Sequence, residues 1–285
     1  RMGDIGYQNS QEDEKGVKAN YNSLYHYIHS LRAAMKTSCS DFEKIGLKKN
    51  GEYQQLNTNI LQIANEYYSS VRPKPILYAN DRPLRALDKN GIGYIEIRSL
   101  DVNPLLEVGI DKKQIQFLEA FLLFCLLEDS PAISSSELFE IDTNSVLVAH
   151  KGRKPGLMLN HLGKELPLLD WGEEIFAGIK QCSKLLSSEH QQSVKNISIR
   201  IKNPDLTPSA IMLNEMQHQE KGFFEYIDQF SHKNKELYKD KIVDKNHFAK
   251  LDEVVISSRK EQLEMESNEV MNFDEFLEDY FANDA

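Results

Sequence analysis

Two short stretches set acids, arginines and tyrosines at alternate positions. Residues 66–72 carry Glu66, Tyr68 and Arg72, and residues 94–98 carry Tyr94, Glu96 and Arg98. In an extended chain alternate residues share a face. Glu96 and Arg98 therefore project from one side of one strand, about 6–7 Å apart along it. A carboxylate so placed suits Mg²⁺, which takes oxygen ligands together with phosphate. An arginine beside it suits the phosphate itself, through a bidentate fork. Together they describe a floor for a metal–nucleotide complex. The plainer reading of the same pattern is a solvent-facing sheet with cross-strand ion pairs worth about 0.2–1 kcal/mol each.

Other patterns carry less chemistry. Gly152-Arg-Lys-Pro-Gly156 lacks the frame of a Walker phosphate loop. It reads as a basic turn shaped by Gly and Pro, with Arg153 and Lys154 open to phosphate contact. Gly91-Ile-Gly93 lacks a third glycine and precedes a strand, which rejects a dinucleotide-binding fingerprint. His26 and His29 lie three apart on a helix pattern with no evident third zinc ligand. No G-x-S-x-G frame marks a serine nucleophile. Cys39, Cys125 and Cys182 are odd in number and form no C-x-x-C pair. This argues against a disulfide framework or a zinc–thiolate site and for a reducing, cytoplasmic setting. Cys125, inside an apolar run, reads as a core residue.

These side chains need elements to hold them. Leu24, Ile28, Leu31 and Met35 mark one face of a helix over 21–36, capped by Asn20 or Asn22. Alternation over 61–72 predicts a strand that Pro73 ends or places at an edge. Residues 92–101 repeat the pattern, and 144–150 read as a more buried strand. Residues 112–128 predict a buried helix behind an Asp111 cap, and Ser134-Ser-Ser-Glu137 predicts another capped helix start. Helices also fit 170–187, 206–218, 222–239 and 246–265, and a short amphipathic one fits 273–281. Strands in the first half and helices in the second make the class α+β. The expected division is a sheet-bearing part over 1–165 and a mainly helical part over 166–285, within one continuous domain.

The 285 residues carry 34 Lys and Arg against 44 Asp and Glu, a net charge of −10. Residues 251–285 hold eleven acids and two bases, so nearly all of the excess lies in that stretch. The body is close to neutral and open to anionic small molecules. The acidic total argues against nucleic-acid or anionic-membrane partners, and no apolar run approaches the roughly 18 residues of a membrane span. The opening Arg1-Met-Gly-Asp reads as the inside of a longer protein.

Five stretches, in order, resemble the bacterial glutamate–cysteine ligase (γ-glutamylcysteine synthetase) family. They are Arg1-Met-Gly-Asp-Ile-Gly-Tyr7, Leu61-Gln-Ile-Ala-Asn-Glu-Tyr-Tyr68 running to Arg72-Pro-Lys74, Tyr94-Ile-Glu-Ile-Arg-Ser-Leu-Asp101 followed by Asn103-Pro104, Gly152-Arg-Lys-Pro-Gly-Leu157, and Asn203-Pro-Asp-Leu-Thr207. The resemblance implies the C-terminal half of such an enzyme. Its fold would be part of a glutamine-synthetase-like catalytic domain, a curved antiparallel sheet with an active concave face and a helical C-terminal part. Its reaction would be ATP-dependent joining of the glutamate side-chain carboxylate to cysteine through a γ-glutamyl phosphate, the first step of glutathione biosynthesis. By the same resemblance, Glu96 would hold Mg²⁺ (or Mn²⁺), and Arg98 would be catalytic, stabilising the transferring phosphoryl group. Arg72 and Lys74 would touch phosphate or nucleotide. Arg1, Tyr7 and Tyr68 would bind the cysteine substrate. The partners would be glutamate, cysteine, ATP and the missing N-terminal half, without which the chain would be inactive. A ligase of the same fold with another amine substrate, and a non-catalytic helical interaction module, are the alternatives.

Overall fold

The computed structural model describes residues 18–78, 81–239, 241, 244–269 and 271–284, with residues 283 and 284 described by their backbone alone. Two units are distinguished, Arg1–Gly222 and Phe223–Ala285.

In the first unit, helix α1 (Leu24–Lys36) starts at Ser23, whose hydroxyl accepts from the His26 amide at 3.1 Å. The cap is thus Ser23 rather than Asn20 or Asn22. Helix α2 (Ser40–Ile45) follows, then a two-residue ladder, β1 (Lys48–Lys49) with β2 (Glu52–Tyr53). Asn50 and Gly51 join them with φ of 54° and 87°, the doubly left-handed turn that matches strand twist. Strand β3 (Val71–Lys74), helix α3 (Pro83–Asn90) and strand β4 (Tyr94–Ile97) come next. One apolar core ties this region together. Tyr27, Ile28 and Leu31 of α1 meet Leu84 and Leu87 of α3, Ala64 of a 3₁₀ turn (Ala64–Glu66) and Tyr67 just after it.

A second core lies between helices. Helix α4 (Lys112–Leu127) has Asp111 as its cap, as its sequence predicts, with the side chain accepting from the Gln114 amide. Helix α5 (Ser135–Lys151) starts at the expected Ser134 cap. The ladder β5 (Met158–His161) with β6 (Lys164–Pro167) leads to helices α6 (Leu168–Ser183) and α7 (Ser188–Lys202). Ala120 of α4, Ile179 of α6 and Val194 of α7 are buried together. Gly178 is required at this crossing, since a Cβ there would lie 2.3 Å from the Phe124 ring. The α4–α7 seam is sealed by Gln116, which donates to Glu189 and accepts from Ser193. Hydrogen bonds from Lys112 and Gln116 hold the Glu189 carboxyl below its usual range. Helix α8 (Pro208–His218) closes the unit.

The second unit holds α9 (Phe223–Lys239), α10 (Lys245–Ser267) and α11 (Phe273–Asp284). Asn272 and Glu275 cap α11 reciprocally, each side chain accepting from the other's amide. Along α11, Phe273 stacks on Phe276, which leans on Tyr280. Among the described residues, no helix is long and apolar enough to cross a membrane.

Several expectations are corrected. The architecture is α+β, but the curved antiparallel sheet of a glutamine-synthetase-like domain is not found. The described residues form three separate two-stranded antiparallel ladders, neither curved nor closed. Residues 61–70 are not a strand. The Gln62 amide donates to the Glu66 carboxylate and the chain tightens into the 3₁₀ turn, so the buried pair Ala64 and Tyr67 is spaced by three rather than two. Pro73 lies within β3, whose sole described partner is β4. The β-branched run 144–150 is the end of α5. There Asn144 is buried because its amide pairs with both backbone groups of Asn160, and Val146 and Val148 remain exposed. Helix α4 is less buried than its apolar density suggests. Cys125, Leu126 and Leu127 all face outward, so Cys125 is not core. Helices α3 and α7 were not legible from apolar spacing.

Leu31 is 1% exposed at the centre of the first core. Leu31→Ala is expected to lower unfolding stability by about 2–5 kcal/mol, read as a lower urea midpoint with unchanged slope.

Candidate functional site

The β3–β4 ladder pairs Val71 with Ile97, Arg72 with Glu96, Pro73 with Ile95 and Lys74 with Tyr94. This register sets Arg72 and Glu96 directly opposite each other on one face. Beyond β4, the backbone continues the contact, with the Arg98 amide donating to the Ser70 carbonyl at 2.8 Å. At the other end Gly93 donates to Lys74, and its missing Cβ admits Ile76, which would otherwise sit 2.7 Å away.

On that face Glu96 is surrounded by cations. Arg98 Nε lies 3.8 Å from Glu96 Oε1, and Lys74 Nζ lies 3.9 Å from Glu96 Oε2. These separations are ion pairs rather than close hydrogen bonds. Glu96 Oε2 itself is shielded from solvent and accepts no hydrogen bond from the described residues. The Arg98 guanidinium lies over the Tyr68 ring, 4.9 Å from its centroid, a cation–π contact that fixes the plane of the fork. Glu96 and Arg98 side chains are 37% and 33% exposed, so both reach solvent from the same face.

Arg72 is different in kind. It is only 7% exposed. Its Nη2 donates to the Ala64 carbonyl at 3.4 Å, while its Nε finds no hydrogen-bond partner among the described residues. The hydroxyl of Tyr27, from α1, meets the same guanidinium. Burial pushes the Tyr27 phenol above its ordinary 10.0, against the opposing pull of Arg72. Behind it, the Tyr21 hydroxyl lies 2.8 Å from the Val71 carbonyl and 2.8 Å from Ser69 Oγ, pinning the start of β3.

The sequence-derived candidates Tyr68, Arg72, Lys74, Glu96 and Arg98 thus converge on one ladder. Glu66 does not join them, because it caps the 3₁₀ turn. Arg1 and Tyr7 lie outside the described residues. Sequence reasoning missed Tyr27. It sits four residues before Leu31 on the same helix face, a signal that apolar spacing counted only for aliphatic residues. His26 and His29 belong to no metal site among the described residues. His26 Nδ1 engages the Ser23 cap at 2.7 Å, and both rings pack on Tyr25.

The site holds one carboxylate against three cations, so its surplus charge favours an anion. A single carboxylate with an unpartnered buried oxygen fits Mg²⁺ as one ligand among phosphate oxygens and waters. It does not make a free-standing metal site, and no group of three candidate ligands occurs among the described residues.

Residues 1–148 match the sequence model of a family described as glutamate–cysteine ligase, over half of the chain. The chain belongs to the glutamate–cysteine ligase family. Glutamate–cysteine ligases of Pseudomonas fluorescens Pf-5 and Pseudomonas putida KT2440 are each 38% identical to it over 288 residues, which cover 99% of this chain and 54% of theirs. The chain therefore spans about half the length of these curated relatives. Among solved structures, the glutamate–cysteine ligase of Francisella tularensis in complex with AMP superposes with a TM-score of 0.90 at 29% identity, over 99% of this chain and 56% of that one. A bifunctional glutathione synthetase of Pasteurella multocida shares the fold at a TM-score of 0.60 and 19% identity, over 83% of this chain and 26% of that one.

The Tyr27 phenol bears on stability. A group whose folded pKa is raised above its unfolded value contributes stability below the unfolded value, and that contribution is lost as pH rises through the folded one. The wild-type chain should therefore lose stability above pH 10 more steeply than Tyr27→Phe. At neutral pH the same variant should be less stable by about 1–3 kcal/mol, because it deprives Arg72 of a buried partner. Urea unfolding at neutral and alkaline pH measures both.

Proposed function

We propose that the whole protein is a glutamate–cysteine ligase, that this chain supplies its C-terminal half, and that the β3–β4 face is the phosphate side of the active site. The observation that carries this reading is Glu96 set between Lys74 and Arg98, with Arg72 facing it across the ladder. The AMP bound by the Francisella relative supports a nucleotide as the anion.

The chemistry has two steps. The ATP γ-phosphoryl group passes to the glutamate side-chain carboxylate, giving an acyl phosphate and ADP. The cysteine amine then attacks the acyl carbon, phosphate leaves, and the nitrogen gives up a proton. Phosphoryl transfer needs positioning and charge stabilisation more than covalent help from the protein. Arg98, held flat by Tyr68, offers its fork to the transferring group's oxygens. Lys74 is a compact point charge with freedom to follow the phosphates. Arg72 is buried on the same face and contributes a fixed positive potential. Glu96 would hold Mg²⁺, which when bound supplies further neutralisation of phosphate charge. Tyr68, with Arg1 and Tyr7, would bind the cysteine substrate, its carboxylate meeting Arg1.

Glu96→Gln keeps the shape and removes the charge. In the full-length protein it should lower the rate of ADP release with glutamate, cysteine and Mg-ATP by about 10²–10³-fold, the scale of losing one stabilising charge contact. The circular dichroism spectrum should not change. Wild-type rates in that variant would overturn the site. The 285-residue chain alone should show no ADP release above background, because it spans only about half of the relatives' length.

A further inference from the structure

A second feature lies away from the ladder. Helices α6 and α7 run back to back through the turn at 184–187, and between them opens a groove of about 740 Å³. That volume falls in the range of small-molecule sites. Its floor is apolar, with Phe176, Val194 and Ile199 among the lining residues. Its rim carries Lys180, Lys184, Lys195 and Lys202 against one acid, Glu173. Glu173 is committed to Lys202, at 3.0 Å. Lys184 donates to the neutral Gln181 amide oxygen at 2.6 Å. Among the described residues, Lys180, Lys184 and Lys195 therefore form no ion pair.

The turn end adds to the same potential. Ser187 precedes α7 but makes no side-chain cap, because its hydroxyl engages His190 Nδ1 at 2.7 Å. The positive end of α7 thus opens beside Ser188 and Gln191, which also line the groove. The acid of that first turn, Glu189, is turned away to Lys112 and Gln116.

We propose that the α6–α7 groove binds a small phosphorylated organic molecule. Its phosphate would be held by Lys180, Lys184 and Lys195, and its carbon framework would lie on Phe176, Ala177 and Ile199. Three mobile ammonium groups suit a phosphate of variable orientation. Three charges on an acidic chain do not suit a nucleic-acid polymer, which requires an extended basic track. The assignment is independent of the ligase reading.

The test uses pyridoxal 5′-phosphate, an aromatic phosphate whose aldehyde condenses with a nearby lysine amine, releasing water. Borohydride then reduces the imine to a stable secondary amine, and peptide mapping locates it. Lys180, Lys184 or Lys195 should label about tenfold faster than the exposed Lys113 and Lys164, the low end of what a cleft of one charge sign achieves. Tripolyphosphate should abolish the preference, and pyridoxal without its phosphate should show none. The double variant K180Q/K195Q changes two exposed residues and should keep its circular dichroism spectrum while labelling at Lys184 falls to the background rate. Even labelling across the surface, a preference that tripolyphosphate leaves intact, equal preference by pyridoxal, or unchanged Lys184 labelling in the double variant would each overturn the proposal. Labelling at Lys74 maps to a separate peptide and reports on the other site.

Discussion

A buried guanidinium organises the site. A guanidinium is a full positive charge, and an isolated charge in an apolar interior is costly. It is stable here because two other pieces of chain bring oxygen to it. The Ala64 carbonyl comes from the 3₁₀ turn and the Tyr27 hydroxyl from α1, while Glu96 stands opposite in the facing strand. Ala64 and Tyr27 are both residues of the first core, so the charge and the core fix each other. A two-stranded ladder is marginal in water by itself. This one is tied to the first core by the residue that also shapes its electrostatics.

The same constraint explains the surface above. With Arg72 buried against Ala64 and Tyr27, Lys74 and Arg98 are left to share Glu96 at separations near 4 Å, longer than direct hydrogen bonds. Partly exposed pairs at such distances contribute little to stability. Their value lies in what they can exchange. An incoming phosphate can take the cations without breaking a strong contact, and Glu96 can turn its unpartnered oxygen elsewhere. Function thus sits on the loose interactions and folding on the tight ones.

The two cores differ in how they treat polar groups. The first buries a charge and several tyrosines beside aliphatic residues. The second is almost wholly apolar, apart from the Gln116–Ser193 seam, and keeps its charges on the rim. This separation gives α6 and α7 a dry floor with lysines above it, a surface unlike the β3–β4 face in both shape and charge balance.

Local order in the chain was enough for the elements with strong local causes. The Asp111 and Ser134 caps, the helical face of Leu24, Ile28 and Leu31, and the strand at Tyr94–Ile97 all follow from short-range chemistry. The adjacency of Glu96 and Arg98 follows as well, because alternation along one strand requires it. The pairing of Arg72 with Glu96 does not, since register between strands depends on a turn and a core distant in sequence. Nor does the turn at Ala64–Glu66 or the helical fate of Val146 and Val148. There a strand-like pattern yields to a side-chain bond, Gln62 to Glu66 in one case and Asn144 to Asn160 in the other. Burial of Tyr27 against Arg72 was invisible for the same reason. Spacing along a chain reports which side chains share a face, but only packing decides what that face meets.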